Sequence, residues 1–261
     1  MHESYRNQLP GESSERGARA SAEAPRTHTI ATVPPLAPDE DAYGRLLLAA
    51  LEGRPSEETM ERDDGLTWDG DPHAYFAPSA EWPEAEREAL AHVRGRVLDV
   101  GCGAGRVALE LQARGHDVVA IDESPLAVEV ARRRGVRDAR PLALADVTEE
   151  LGPFDSILVA RNNFGLEGDE PAASRALERF ARLTAADGRV VTDFVHPGRD
   201  PDGHRGHRFR VRFGACATPW FRYLMLTPDE VECLLEGTDW ELARVIDDGS
   251  PRYVVVLVKR T

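Results

Sequence analysis

Three acids and three glycines stand at spacings that could hold a small ligand. Asp99 comes two residues before Gly101, and Gly103 and Gly105 follow at alternate positions in the run VLDVGCGAGR. Asp122 closes the run DVVAID, and Asp146 closes the run LALAD. Glycine allows a sharp backbone turn and lets a ligand come close where a Cβ would collide. A helix beginning after such a turn offers free N–H groups and partial positive charge. An acid about 20 residues past the glycines can accept hydrogen bonds from both ribose hydroxyls. One at the next strand end can take an adenine amino group. The chemistry indicated is the binding of an adenosine-bearing ligand.

Two such ligands compete. A dinucleotide fingerprint, G-x-G-x-x-G, needs glycine at position 106, where this chain has Arg106. Asp99 would also set a fixed carboxylate against a pyrophosphate. S-adenosylmethionine carries no phosphate, but it does carry an ammonium and a sulfonium, so the same carboxylate favours it. A nicotinamide-dependent oxidoreductase is therefore the weaker reading. Arg161, just past the fourth predicted strand, falls beside the expected cofactor tail. Cys102, inside the loop, reads as a small filler and not as a nucleophile. A plain strand-to-helix turn, a helix cap at Asp122 and a strand end at Asp146 would explain each feature singly. Their joint placement argues for the site.

The elements that must position these residues alternate. Strands are predicted at Arg96–Val100, Asp117–Asp122, Leu142–Asp146, Phe154–Ala160 and Arg189–Phe194, with helices at Pro83–Val93, Arg106–Arg114, from Pro125 to Gly135, and at Pro171–Thr184. Crossovers too long for hairpins give an α/β, Rossmann-like doubly wound sheet with ligands at the carboxyl ends of its strands. After residue 194 the rhythm changes. Arg208–Phe213 alternates at period two, with Pro219–Leu226 as a candidate partner. A helix over Thr227–Glu236 and two strands, Trp240–Ile246 and Tyr253–Lys259, finish the chain. Residues 195–226 thus read as an insertion forming a cap.

Upstream, residues 1–40 have almost no large apolar side chains and read as a disordered tail. Residues 41–82 begin with a short helix and continue as an irregular, aromatic stretch expected to pack as a collar or lid. Residues 83–261 form the ligand-binding domain. His196, two residues past the fifth predicted strand, is the candidate general base. His204 and His207 read as solvated. Arg208, Arg210 and Arg212 read as the solvated face of a half-buried strand, the rival reading being a basic face for an anionic acceptor.

On these motifs the sequence resembles the class I S-adenosylmethionine-dependent methyltransferases, over about residues 83–194 and in a bacterial small-molecule branch. VLDVGCGAG matches the glycine motif at Asp99, Gly101, Gly103 and Gly105. AID matches the ribose acid at Asp122, with Glu123 beside it, and ALADV matches the adenine region at Asp146 and Val147. The resemblance implies seven strands, mostly parallel, with an antiparallel last strand. It also implies methyl transfer from S-adenosyl-L-methionine to a small organic acceptor at O, N or C. The alternative is a protein that binds this cofactor without transferring methyl, as a sensor or scaffold. The segment after the fourth strand, RNNF, lacks the Asn-Pro-Pro-Tyr-like motif of amino-methylating DNA enzymes. It also lacks the carboxylates of a metal-dependent site, so no metal is expected.

Composition narrows the partners further. With 32 Lys and Arg against 46 Asp and Glu, the net charge of −14 disfavours nucleic acid and anionic membrane surfaces. Three cysteines without metal-ligand spacing, and a start without an apolar core, lead to the expectation of a reduced, cytoplasmic protein. The oligomeric state is not encoded in any pattern here.

Overall fold

A computed structural model describes residues 36–37, 39–200 and 203–260. The predicted tail, residues 1–40, lies almost wholly outside the described residues.

The described chain begins with helix α1 (Ala42–Leu51) and strands β1 (Thr59–Arg62) and β2 (Thr67–Asp69), followed by α2 (Glu84–Ala89). The alternating part runs β3 (Arg96–Val100), α3 (Arg106–Ala113), β4 (Asp117–Asp122), α4 (Pro125–Arg134), β5 (Ala139–Pro141), β6 (Phe154–Val159), α5 (Glu170–Leu183) and β7 (Thr184–Val195). Then come β8 (Arg208–Phe213), β9 (Cys216–Ala217), β10 (Phe221–Arg222), α6 (Pro228–Leu234), β11 (Trp240–Ile246) and β12 (Arg252–Lys259).

The larger sheet has seven strands in the order β11-β12-β7-β6-β3-β4-β5. β3 to β7 pair in parallel, and β12 runs antiparallel to both β7 and β11. This is the Rossmann-like architecture expected from the alternation. Both faces are covered, so the strands read as continuous apolar runs. Leu98, Ile121, Ile157 and Val190 pack with α5 and α6 on one face, and Val97, Val118, Leu158 and Val191 pack with α2 and α3 on the other.

The helix starts follow local chemistry. Ser124 caps α4 by accepting from the Ala127 N–H at 2.9 Å, and Pro125 occupies the first turn, where its missing N–H costs nothing. Asp41 caps α1 through the Gly44 N–H at 2.9 Å. The two caps are themselves joined, because the Ser124 hydroxyl donates to Asp41 Oδ1 and Oδ2 at 2.8 and 2.9 Å. This buried contact ties α1 to the helix that follows Asp122.

Where the collar was expected to be irregular, the structure forms strands. β1 pairs with β2 and also with β8, so residues from the collar and the insertion share one five-stranded antiparallel sheet, β10-β8-β1-β2 with β9 on β8. The period-two reading of β8 holds. Phe209 and Val211 are buried, while Arg210 and Arg212 pair with Glu61, and Arg208 with Asp63. The basic-face reading is thereby displaced, since those cations have partners on β1 and the turn after it.

The third strand also differs from expectation. Pairing stops at Pro141, which has no N–H to donate, and Leu144–Asp146 closes as a 3-10 turn with the Asp146 N–H on the Ala143 carbonyl at 3.0 Å. Asp146 therefore sits in a turn beyond an edge strand. The helix expected over Pro83–Val93 is α2 followed by a 3-10 turn at Leu90–His92.

Candidate functional site

The glycine loop leaves β3 and enters α3 with Gly101, Gly103 and Gly105 all at positive φ (71°, 52° and 75°). A Cβ on Gly105 would come within 2.6 Å of Val136 Cγ2, so that glycine serves the packing of α3 against the α4 end. A Cβ on Gly103 would instead meet the Tyr43 hydroxyl at 2.8 Å, so this glycine faces the space beneath α1. The loop's N–H groups are largely committed. Gly101 and Cys102 both donate to the Ile121 carbonyl at 2.9 Å, Gly103 donates to Asp122 Oδ2 at 2.8 Å, and Gly105 donates to the Cys102 carbonyl at 2.8 Å. Phosphate-binding loops direct such groups outward at an anion. Here they face inward, which agrees with the sequence argument against a pyrophosphate.

Around the loop stand the strand-end groups. Asp122 is buried; besides Gly103 it accepts from the Ser124 N–H at 2.9 Å, and burial pushes its carboxyl up to about 6. Asp99 is only 2% exposed, and its Oδ2 has no hydrogen-bond partner. Burial first, and then the charge of Asp122, push the Asp99 carboxyl up to about 7. A buried carboxylate in this condition suits a cationic neighbour, because only a counter-charge offsets its lost hydration. Cys102 is buried in the loop with its thiol pushed up by burial, as a filler would be.

The remaining expected residues frame the same edge. Leu142 N–H donates to the Asp122 carbonyl at 2.9 Å, bringing the turn that carries Asp146 and buried Val147 beside the β4 end. Glu123 is exposed at the rim. Arg161 follows β6 at φ 65°, its guanidinium 4.0 Å from Glu86 and 5.8 Å from the Tyr75 ring centroid.

Two neighbours of Arg161 were read in the sequence only as lacking the carboxylates of a metal site. Asn162 also has positive φ (60°), held by its N–H donating to both Asp193 carboxylate oxygens at 3.0 Å. Non-glycine residues in this region are strained and recur at functional sites. Asn162 is buried, yet its side-chain N and O both lack partners. Asn163 Nδ2 donates to the Gly101 carbonyl at 2.8 Å and so clamps the loop. The pair of asparagines after a strand was the only available signal.

The cap side adds a second group. Tyr43 of α1 meets Tyr75 edge-on at 5.1 Å, and the Tyr75 hydroxyl donates to Glu58 Oε1 at 3.0 Å. A chain of contacts thus runs from Gly103 through Tyr43 and Tyr75 to Glu58. The Leu224 N–H, donating to the Gly165 carbonyl at 2.7 Å, holds the insertion against the segment after β6.

His196 stands apart from this group. Past β7 the chain turns at Pro197, and β7 is paired to β12, which carries His196 to the β11–β12 hairpin. Its Nδ1 accepts from the Gly198 N–H at 3.1 Å, its own N–H donates to the Pro251 carbonyl, and its ring meets Tyr253 at 6.0 Å. None of these partners belongs to the loop or to the Tyr43–Tyr75–Glu58 chain. Among the described residues no three His, Cys, Asp or Glu converge as a metal-ligand set, and no helix is long and apolar enough to cross a membrane.

Known proteins similar to this chain are methyltransferases. Residues 97–188 match the family model described as "Methyltransferase domain". A demethylmenaquinone methyltransferase of Renibacterium salmoninarum is 32% identical over 167 residues, covering 59% of this chain and 65% of that protein. One from Tropheryma whipplei is 33% identical over 131 residues, covering 48% and 52%. The chain thus spans about half to two thirds of these relatives, and as little as 30% of another, a magnesium-protoporphyrin O-methyltransferase of Rhodobacter capsulatus. Among solved structures, a SAM-dependent methyltransferase from Bacteroides fragilis, in complex with S-adenosyl-L-homocysteine, superposes with a TM-score of 0.78. It is 27% identical, over 87% of this chain and 98% of that one.

Proposed function

We propose that this chain, which belongs to the class I S-adenosylmethionine-dependent methyltransferases, transfers methyl from S-adenosyl-L-methionine to a small organic acceptor. The observation that carries this reading is the partnerless, buried carboxylate oxygen of Asp99 beneath a loop whose N–H groups turn inward. That combination suits a cationic, phosphate-free adenosyl ligand. The inward N–H groups leave little to cradle an anion.

In this reading Asp122 accepts from the ribose hydroxyls, with Glu123 at the same rim. Asp146 takes the adenine amino group, over a floor that includes Val147. The backbone turn of Gly101, Cys102 and Gly103 lets the ligand approach closely, Gly103 facing the space beneath α1, and Gly105 seats α3 against the α4 end beside it. Asp99 sets a negative potential under the ammonium, and Arg161 takes the carboxylate of the amino-acid tail. S-adenosylmethionine supplies an electrophilic methyl carbon on its sulfonium, so the protein need not create a reactive species. Its task is to align an acceptor lone pair with the C–S bond and to exclude water, and placement of this kind can supply about 7–11 kcal/mol. Helix α1 and the five-stranded sheet serve as the lid over that reaction.

The test has two readouts. S-adenosylhomocysteine should raise the melting temperature while NAD does not, because a ligand stabilises only the fold that binds it. Mass spectrometry of the protein purified from its own cells should then find a retained adenosyl ligand, together with the acceptor. Stabilisation by NAD instead would refute the assignment.

A further inference from the structure

The cap side of the site contains a buried acid that the reading above leaves without a role. Glu58 is 3% exposed, and the Tyr75 hydroxyl reaches its two oxygens at 3.0 and 3.4 Å. Among the described residues no lysine or arginine forms an ion pair with it. The nearby cation that acts on it, Arg161, lies 4.0 Å from Glu86. Phenol rings are gathered on the same side. Tyr43 and Tyr75 meet edge-on, and Glu58 acts electrostatically on both and on Tyr223.

A carboxylate removed from water, with a phenol donor but no cation of its own, is stable only if a counter-charge arrives or a proton does. An ammonium group meets both conditions, and aromatic faces add to its attraction. An acceptor carrying a carboxylate or phosphate at this point would meet like charge instead. Resting on the methyltransferase reading, we propose that Glu58 and Tyr75 form an amine subsite, so that the methyl acceptor is a primary or secondary amine held through Glu58.

The protonation chemistry agrees with that geometry. Burial raises the Glu58 carboxyl above its ordinary value; Asp71 adds to the rise, while the Tyr75 hydrogen bond and Arg161 oppose it. A raised carboxyl is a better base for an ammonium than a surface one. The ammonium gives one proton to a Glu58 carboxylate oxygen, leaving a neutral amine and a neutral acid. The nitrogen lone pair then forms the N–C bond as the C–S bond breaks, with that electron pair staying on sulfur. The sulfonium becomes a neutral thioether, and the positive charge passes to the methylated nitrogen. Glu58 finally loses its proton to water, so one proton is released per transfer.

The experiment is a thermal-shift titration of the protein saturated with S-adenosylhomocysteine. The probes are benzylamine, n-butylamine and tyramine, matched with benzyl alcohol, p-cresol and phenylacetate. The amines are expected to stabilise wild type and phenylacetate is not. Glu58→Gln, which removes the charge and keeps the shape, should keep the S-adenosylhomocysteine shift and weaken amine binding at least tenfold, and Glu58→Asp should restore part of it. An unchanged amine response in Glu58→Gln overturns the proposal. So does preferential stabilisation by phenylacetate or p-cresol, or a wild type stabilised by none of the three amines. If Glu58→Gln does not melt cooperatively, Tyr75→Phe decides: it should weaken the amine several-fold, and an unchanged response refutes the subsite. If S-adenosylhomocysteine itself fails to stabilise wild type, the methyltransferase reading falls first and this inference falls with it.

Discussion

The glycine loop and the five-stranded sheet treat charge in opposite ways. On the small sheet, Glu61 pairs with Arg210 and Arg212, Asp63 with Arg208 and His207, and Asp64 with Arg62. These groups are partly in water, and their carboxyls are held below the ordinary range by hydrogen bonds from those partners, Glu61 at about 2. At the loop the situation reverses. Asp99 and Asp122 are buried, both are raised, and Asp99 keeps an oxygen with no partner, as does the Asn162 side chain. Paired surface charges contribute little and explain themselves. Unpaired buried ones cost stability, so their presence points to a ligand that completes them. The site is recognised less by how many charges it holds than by which are left unfinished.

Four substitutions probe that contrast. Gly105→Val forces a Cβ against Val136 at a positive φ. It should cost about 2–4 kcal/mol of folding stability, read by urea unfolding, since strain and overpacking add there. A midpoint like that of wild type would mean that α3 is not held by this contact.

Asp99→Asn should act in two directions at once. The folded-state carboxyl lies near 7, above an unfolded value near 4, so the ligand-free fold loses stability as pH rises from about 4 to about 7. The amide removes that loss. Unfolding at pH 7 should then show the variant more stable than wild type by about 1–3 kcal/mol without ligand, the two converging near pH 4. Binding of S-adenosylmethionine should weaken in the same protein. A variant less stable than wild type at pH 7 would mean that Asp99 is already satisfied within the fold.

On the small sheet, Glu61→Gln should lower the melting temperature slightly and leave the dissociation constant of S-adenosylhomocysteine within about twofold, as exposed pairs contribute little. A large loss of binding would place the paired charges in the site after all. His196→Ala should change least. It removes a cap on a 3-10 turn and a ring contact with Tyr253, so methyl transfer measured with any accepted substrate should persist. Its abolition would support His196 as the base.

Much of this was legible in the sequence, for identifiable reasons. The run from Arg96 to Phe194 alternates between apolar strands and capped helices, and each strand pairs with elements read at the same period. Asp99, Gly101, Gly103, Gly105 and Asp122 were placed together by the same rhythm. The small sheet was hidden because β1 and β2 are only four and three residues long and their partner β8 lies far along the chain. Nothing local in TMER or TWD announces that pairing, since strand propensity depends on what the strand packs against. Asp146 was displaced from a strand end to a turn by Pro141. His196 was expected near the acceptor pocket, but distance along the chain from a strand end does not say which way the next turn goes, and its contacts are with Gly198, Pro251 and Tyr253. The asparagine pair marked the place but not the conformation of Asn162, which is imposed by Asp193 from a neighbouring strand.

The most direct test is titration calorimetry of S-adenosylmethionine into wild type and Asp122→Ala side by side. Wild type should bind one equivalent. The variant should lose about 1.5–3 kcal/mol, a ten- to hundredfold weaker dissociation constant, because hydrogen bonds to an ionised acceptor are gone. Equal affinities in the two proteins would contradict the assignment of this edge of the sheet as the adenosyl pocket.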